Sequence, residues 1–393
     1  MSLIDRVLNT LETRRENILK GNINCIPSPF NRLSNSFPGI ERDKYYLISG
    51  ATKSAKTQIT NYLFVYTPIM YAFKNREQVN VKIFYFPLEE TPENITLRFM
   101  SYLLYTLSKG AIRISPIDLK STKADNIVNE KILDTLKSKE YQDILKFYEE
   151  NVIFMDDRNP TGIYKILRKY AEDNGVIHKK STEIKNKETG NTEVRQVFDY
   201  YEPHDKKEYV LCIVDHISLL STEQGMNLRE SINKLSEYMM ILRNHFHYIP
   251  VIVQQQSTET SSLEAFKNNK IRPTMAGLSD SKYTAKDCNL MLGITNPFSY
   301  EIAEYLGYDI TKLRGNARFL EVVLNRDGES NDMIPLFFDG ATNYFSELPP
   351  LKDSNAMNKI INHINNLKSQ TAKSFFIYTI NKIRSIYNNV KNV

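Results

Sequence analysis

Six short apolar runs, "KYYLIS", "VNVKIFYFPL", "NVIFM", "EYVLCIVD", "IPVIV" and "NLMLGI", follow one another from Lys44 onward, several of them separated by helix-length segments. Strand-like runs alternating with helices define an α/β domain with a mainly parallel sheet. The 393 residues suffice for two or three domains of roughly 100 to 200 residues each, or for one large domain with appendages. With 41% apolar and 25% charged residues, the chain is neither disordered nor fibrous. Cys25, Cys212 and Cys288 are scattered and never spaced C-x-x-C, which argues against a disulfide framework or zinc site and fits a reducing cytoplasm. Charges at Asp5, Arg6, Glu12, Arg14 and Arg15, with no apolar h-region, read against a secretory signal. The apolar stretch "YLFVYTPIMYAF" is too short to span a membrane and is broken by Thr67 and Pro68.

The flanks differ from this rhythm. Leu3, Ile4, Val7, Leu8 and Leu11 share one face of a helix expected over residues 2 to 20, with Gly21 as its stop. The polar segment 178 to 206, with a Thr-Gly-Asn turn between two runs, reads as a projecting β-hairpin insertion. Net charge is only +5, which permits a nucleic-acid partner without arguing for one. Its distribution says more: no acidic residue follows Asp353, whereas Lys359, Lys368, Lys373, Lys382, Arg384 and Lys391 do. Two amphipathic helices with basic faces are expected there.

The first run leads into "GATKSAKT", residues 50 to 57. In a phosphate-binding P-loop, backbone N–H groups of the turn and of the following helix surround the β-phosphate, a lysine reaches the β/γ oxygens, and a hydroxyl holds Mg²⁺. Gly50, Ser54, Lys56 and Thr57 stand where this requires, but Ala55 occupies a position expected to be glycine, and its Cβ narrows the backbone conformations available. A second run ends in Asp215, as a carboxylate for the metal is delivered in P-loop enzymes. It is followed by His216 rather than Glu, so the base must come from elsewhere. Ligands of open α/β sheets bind outside the carboxyl ends of the strands. There "VKIFYFPLEE" supplies Glu89 as candidate general base, with Glu90 as its alternative, and "IPVIVQQQ" supplies Gln256 as a candidate γ-phosphate sensor. In "FLEVVLNRDGESNDMIPLFFDG", Arg326 sits beside an Asp-Gly turn, where it would serve a neighbour's site as an arginine finger or be an ordinary solvated turn residue.

Together these residues resemble the ATPase domain of DnaB-type replicative helicases, within the RecA-like hexameric motors, from about Ile26 to Leu348. "IPSPFNRLSNSFPGIERDKYYLISG", "IFYFPLEETPENITLRFM", "VIFMDD", "CIVDHISLL", "IPVIVQQQS", "RPTMAGLSDS" and "LNRDG" follow in the family's order, and it is order and spacing that carry the resemblance. Departures are Ala55, Leu324 in place of a second basic residue, Pro68 in the helix after the P-loop, and the hairpin insertion. The family's large N-terminal primase-interacting domain is expected to be missing, with one short helix in the place of its linker helix.

The resemblance implies a RecA-like P-loop fold with a linker helix at 1–25, an ATPase domain at 26–350 and a basic helical extension at 351–393. It implies ATP and Mg²⁺ as cofactors, with Thr57 and Asp215 at the metal, Glu89 on the attacking water, Gln256 coupling and Arg326 acting in trans. It also implies single-stranded DNA as a partner, a homo-oligomer that is most simply a hexamer, a separate primase or loader, no membrane, and the cytoplasm of a host if the source is a phage or mobile element. Lys267, Lys270 and Arg272, after the Gln256 strand, are the expected DNA contacts. The rival expectations are a recombinase-like or loader ATPase without unwinding, and an inactive ring with a structural or packaging role.

Overall fold

The computed structural model describes residues 3–122, 127–185, 192–257 and 271–367. Helix α1 (Leu3–Leu19) is followed by the short strands β1 (Ile26–Pro27) and β2 (Gly39–Ile40) and then by β3 (Tyr46–Gly50). The helix after β3 begins as α2 (Lys56–Asn61) and continues through a π turn, Tyr62–Tyr66, into α3 (Thr67–Lys74). Proline at 68 removes a backbone donor, and the chain widens one turn instead of breaking: both the N–H and the hydroxyl of Thr67 reach the Tyr62 carbonyl. Next come β4 (Asn80–Pro87), α4 (Pro92–Leu107), α5 (Pro116–Leu119), α6 (Glu130–Lys137), α7 (Lys139–Asn151), β5 (Val152–Phe154) and α8 (Pro160–Asp173). Beyond them lie β6 (Gly175–Lys185), β7 (Thr192–Pro203), β8 (Glu208–Asp215), α9 (Leu228–Phe246), β9 (Ile249–Gln255) and β10 (Leu290–Thr295). The chain then forms β11 (Glu304–Tyr305), β12 (Tyr308–Asp309), β13 (Ala317–Asn325), β14 (Met333–Asp339), β15 (Tyr344–Glu347) and a helix over residues 354–367. All six apolar runs are strands.

Two compact units are present. The first comprises the residues up to Ile95, Lys139–Thr295 and Leu320–Met333. Its strands are ordered β13-β10-β3-β9-β8-β4-β5, and β10, β3, β9, β8, β4 and β5 run parallel. Alternate residues separate the two faces. Tyr45, Leu47, Phe84, Phe86, Cys212, Val214, Ile252 and Met291 pack with Ile163 and Leu167 of α8 and Leu235, Met239 and Leu242 of α9. On the other face Tyr46 meets Phe64 of the π turn, ring centroids 5.1 Å apart. Helices on both faces explain why these strands are apolar throughout.

The expected insertion is an antiparallel hairpin of β6 and β7 in register from Gly175↔Pro203, anchored at its base where Phe198 stacks on His245 at 4.0 Å. The expected N-terminal helix is α1, ended by Gly21 at φ 74°, and its apolar residues are uncovered, Ile4 at 70% and Leu11 at 59% exposure. Gly21 supplies a left-handed conformation without a Cβ penalty.

The second unit, Thr96–Ser138, Asn296–Phe319 and the described residues from Ile334, holds the antiparallel pairs β11–β12 and β14–β15. Arg113 grips Asp339 there with two 2.8 Å bonds, and Arg318 lies 5.0 Å over the Phe338 ring. The first expected tail helix is the one over 354–367. The second expected tail helix lies outside the described residues. Among the described residues no helix is long and apolar enough to cross a membrane.

Candidate functional site

The loop after β3 has the shape its sequence requires. A Cβ on Gly50 would meet the Ile294 carbonyl oxygen and Ser54 Oγ, each at 2.5 Å, so only glycine permits that close approach. Lys53 and Ala55 are both left-handed, at φ 62° and 80°. Ala55 therefore adopts the conformation for which glycine is expected, at the steric cost its Cβ imposes. Lys56 crosses the loop to donate to the Ala51 carbonyl at 3.0 Å. Burial pulls its ammonium below the ordinary lysine range, while Asp215 and Glu89 act in the opposite direction.

Asp215 ends β8 in register with Pro87 of β4. It is 4% exposed, and burial raises its carboxyl to about 6 against the opposing influence of the nearby Thr57 and Tyr85 hydroxyls. Oδ2 accepts from the Tyr85 hydroxyl at 3.2 Å, whereas Oδ1 has no well-formed partner among the described residues. The Asp215 carbonyl accepts the Leu88 N–H at 2.7 Å, which ties the end of β4 to the end of β8 and fixes where Glu89 emerges. Glu89 is 56% exposed, with Oε2 3.5 Å from His216 Nε2. His216 is pulled below its ordinary range, chiefly by burial, and its Nδ1 has no partner among the described residues. The peptide between Asp215 and His216 is cis.

The three glutamines at the end of β9 face three environments. Gln256, the expected sensor, is 2% exposed and committed elsewhere: its Nε2 donates to Ser49 Oγ at 2.8 Å and to the Thr274 carbonyl at 3.1 Å. Its Oε1 accepts the Thr274 N–H at 3.2 Å. Gln255 is the glutamine whose side chain touches the phosphate loop, donating from Nε2 to Thr52 Oγ1 at 2.7 Å, while the Gln256 backbone N–H donates to the Gly50 carbonyl at 3.0 Å. Sequence reasoning missed it, since three consecutive glutamines give no apolar marker of which side faces inward.

Arg326 lies at the opposite edge. Its N–H donates to the Asn289 carbonyl at 3.0 Å, just before β10, whereas Ile294 near the end of β10 pairs with Gly50. Five residue steps of strand, roughly 16 Å, separate those two levels. The guanidinium is held on its own chain by the Cys288 carbonyl at 2.8 Å and by the Lys286 carbonyl. Of the expected DNA contacts, the structure describes only Arg272. Arg272 forms a two-pronged ion pair with buried Glu321, and Lys267 and Lys270 lie outside the described residues.

A parallel sheet flanked by helices, with a P-loop, a strand-end aspartate and an adjacent strand-end glutamate on one edge, defines the RecA-like ATPase fold. Two solved structures share this fold. The chain is similar to a solved helicase ATPase domain, with TM-score 0.58 at 15% identity over 89% of this chain and all of that one. It is also similar to a DnaB-like replicative helicase studied for its interactions with primase, with TM-score 0.57 at 15% identity over 88% of this chain and 67% of that one. At such identity the likeness is one of fold: the chain has the RecA-like ATPase-domain fold seen in DnaB-type helicases. No family model matches the sequence, and no curated protein matches it.

Proposed function

We propose that the protein is an ATP-hydrolysing motor of the replicative-helicase type, a cytoplasmic homo-oligomeric ring, most simply a hexamer, that translocates on single-stranded DNA and unwinds duplex. The observation that supports this reading is the placement of the candidate catalytic residues at opposite ends of the sheet's strands. Lys56, Thr57, Asp215 and Glu89 converge at the carboxyl ends of β3, β4 and β8, while Arg326 stands at the amino end of β10. An arginine there serves a bound nucleotide only on an adjacent subunit, which favours an assembly over a monomeric ATPase.

The residues fit Mg²⁺ with ATP: a buried carboxylate whose Oδ1 lacks a well-formed partner among the described residues, beside a threonine hydroxyl, is a place where a cation relieves desolvated charge. Mg²⁺, held by Thr57 and Asp215, would supply neutralisation of the charge on the nucleotide's phosphates. Lys56 exchanges the Ala51 carbonyl for a phosphate oxygen. Thr57 and Asp215 hold the metal side. Glu89 orients the attacking water and accepts its proton, with His216 Nε2 steadying the carboxylate. Gln255, through Thr52, links the phosphate loop to β9 and so to the segment bearing Lys267 and Lys270, the proposed DNA contacts, with a separate primase or loader as partner.

Steady-state ATPase with and without single-stranded DNA, paired with strand displacement, tests the reading. Lys56→Ala is expected to lose nucleotide affinity, and Glu89→Gln to retain ATP but hydrolyse it at least a hundredfold more slowly, on the order of what a positioned base contributes. Normal turnover by Glu89→Gln defeats the base assignment. DNA-stimulated hydrolysis without strand displacement moves the assignment to a recombinase-like or loader ATPase.

A further inference from the structure

Tyr85 sits inside an apolar strand, fully buried, its ring 5.7 Å from that of Phe154. Such a residue reads as core, yet its hydroxyl has a specific partner. In the parallel pairing of β4 with β8, Tyr85 lies opposite Ile213 and Pro87 opposite Asp215. Tyr85 and Asp215 are therefore two steps apart on the same face, the face opposite Phe84 and Val214, and a tyrosine spans that diagonal. Its hydroxyl donates to Oδ2 of Asp215 at 3.2 Å. The carboxylate is thus held from the sheet side by one oxygen, while the other, Oδ1, has no well-formed partner among the described residues. A phenylalanine would fill the same volume, so packing alone gives the hydroxyl no purpose.

We propose that Tyr85 is a positioning residue for the nucleotide's metal: its hydroxyl fixes Asp215 by Oδ2 and so presents Oδ1 toward the Mg²⁺ bound with the phosphates. The inference rests on the ATPase reading of the same site. A carboxylate free to rotate would spend part of its time with neither oxygen correctly placed, and the loss falls on the cation, not on the nucleotide's other contacts. Partners that orient a metal site's carboxylates contribute about tenfold or more in metal affinity.

Tyr85→Phe is the test, with Tyr45→Phe as control, because Tyr45 is an equally buried tyrosine whose hydroxyl bonds Ser236 Oγ at 3.3 Å at the start of β3, away from the phosphate loop. Thermal melts establish that both variants fold. For each, the Mg²⁺ concentration giving half-maximal ATPase is measured, together with fluorescent-ATP affinity in Mg²⁺ and in EDTA. Tyr85→Phe is expected to need about tenfold more Mg²⁺, to lose affinity only when Mg²⁺ is present, and to recover near-normal turnover at saturating Mg²⁺. The control should match wild type in all three. An unshifted Mg²⁺ requirement in Tyr85→Phe, or an equal shift in Tyr45→Phe, overturns the proposal while leaving the ATPase reading intact. A wild-type protein whose nucleotide binding ignores Mg²⁺ overturns both.

Discussion

Ala55 is an alanine at φ 80° where the loop needs a left-handed residue. The sequence flags the position and the structure gives the reason for concern a physical form: a Cβ held in the left-handed region costs about 1 kcal/mol. Ala55→Gly is accordingly expected to stabilise the protein by a few tenths of a kcal/mol, on the order of what remains of that 1 kcal/mol after the greater freedom of glycine in the unfolded chain is set against it. A denaturant midpoint that rises at unchanged slope checks it, and a fall would mean that the loop stores no such strain. Asp215 makes a second prediction, through pH. Its folded carboxyl stands at about 6 against an ordinary value of 3.8, so the folded state holds the proton more tightly than the unfolded one. Stability from this group is therefore lost as pH rises from about 4 to 6, and the full cost, on the order of 3 kcal/mol, persists above that window. Without nucleotide, Asp215→Asn should exceed wild type by about 1 to 3 kcal/mol at pH 7.5 and match it near pH 4. Parallel melts at the two pH values decide this, and equal differences at both would disprove the assignment. Both positions were legible in the sequence because backbone conformation and strand-end charge follow from local residue types. The role of Gln255 was not, since which of three glutamines reaches Thr52 depends on the register of β9 against β3.

At the level of elements, periodicity recovered existence and type. The turn "TGN" between two polar runs is enough to read a hairpin, and the alternation of the apolar runs is enough to read a parallel sheet. Pro68 was legible as a disturbance but not as a π turn, because the way a helix absorbs a missing donor is decided by Thr67 and Tyr62 together. The hairpin should be nearly independent of the core beyond its base, where Tyr201 meets Phe246 edge-on at 5.3 Å. Replacing residues 181 to 196 by Asn-Gly across the Lys180↔Val197 pair should change stability by less than about 0.5 kcal/mol. Tyr201→Ala, which removes a 6% exposed ring, should cost about 3 kcal/mol. Urea denaturation of the two variants side by side distinguishes an appended ribbon from an integral one, and a large loss on trimming would make the outer hairpin part of the core.

For the whole molecule, strand membership was readable but strand order was not: neighbours such as β10 and β3 are distant in sequence, and pairing them is a property of the folded sheet. Assembly is a step further still, since no single chain displays its partner. Two features of this chain nevertheless ask for one. The apolar residues of α1 are uncovered, and Arg326 stands on the edge away from its own phosphate loop, parked on the Cys288 and Lys286 carbonyls. Both are accounted for if subunits pack head to tail, the heterologous arrangement that closes into rings, with α1 covered by a neighbour and Arg326 turned toward that neighbour's nucleotide. Deleting residues 1 to 20 should then lower the oligomeric mass and the ATPase together, although every P-loop residue remains. Lys56→Ala subunits keep a finger and Arg326→Ala subunits keep a phosphate loop, so each alone should be inactive. In an equal mixture that exchanges subunits at random, about a quarter of the interfaces join two intact halves, and hydrolysis should return to at most that fraction of wild type. Light scattering and ATPase measured on the same samples decide the matter: a truncated monomer with full activity, or mixtures that exchange subunits yet recover nothing, would show that the site is not shared and that α1 and Arg326 serve some other purpose.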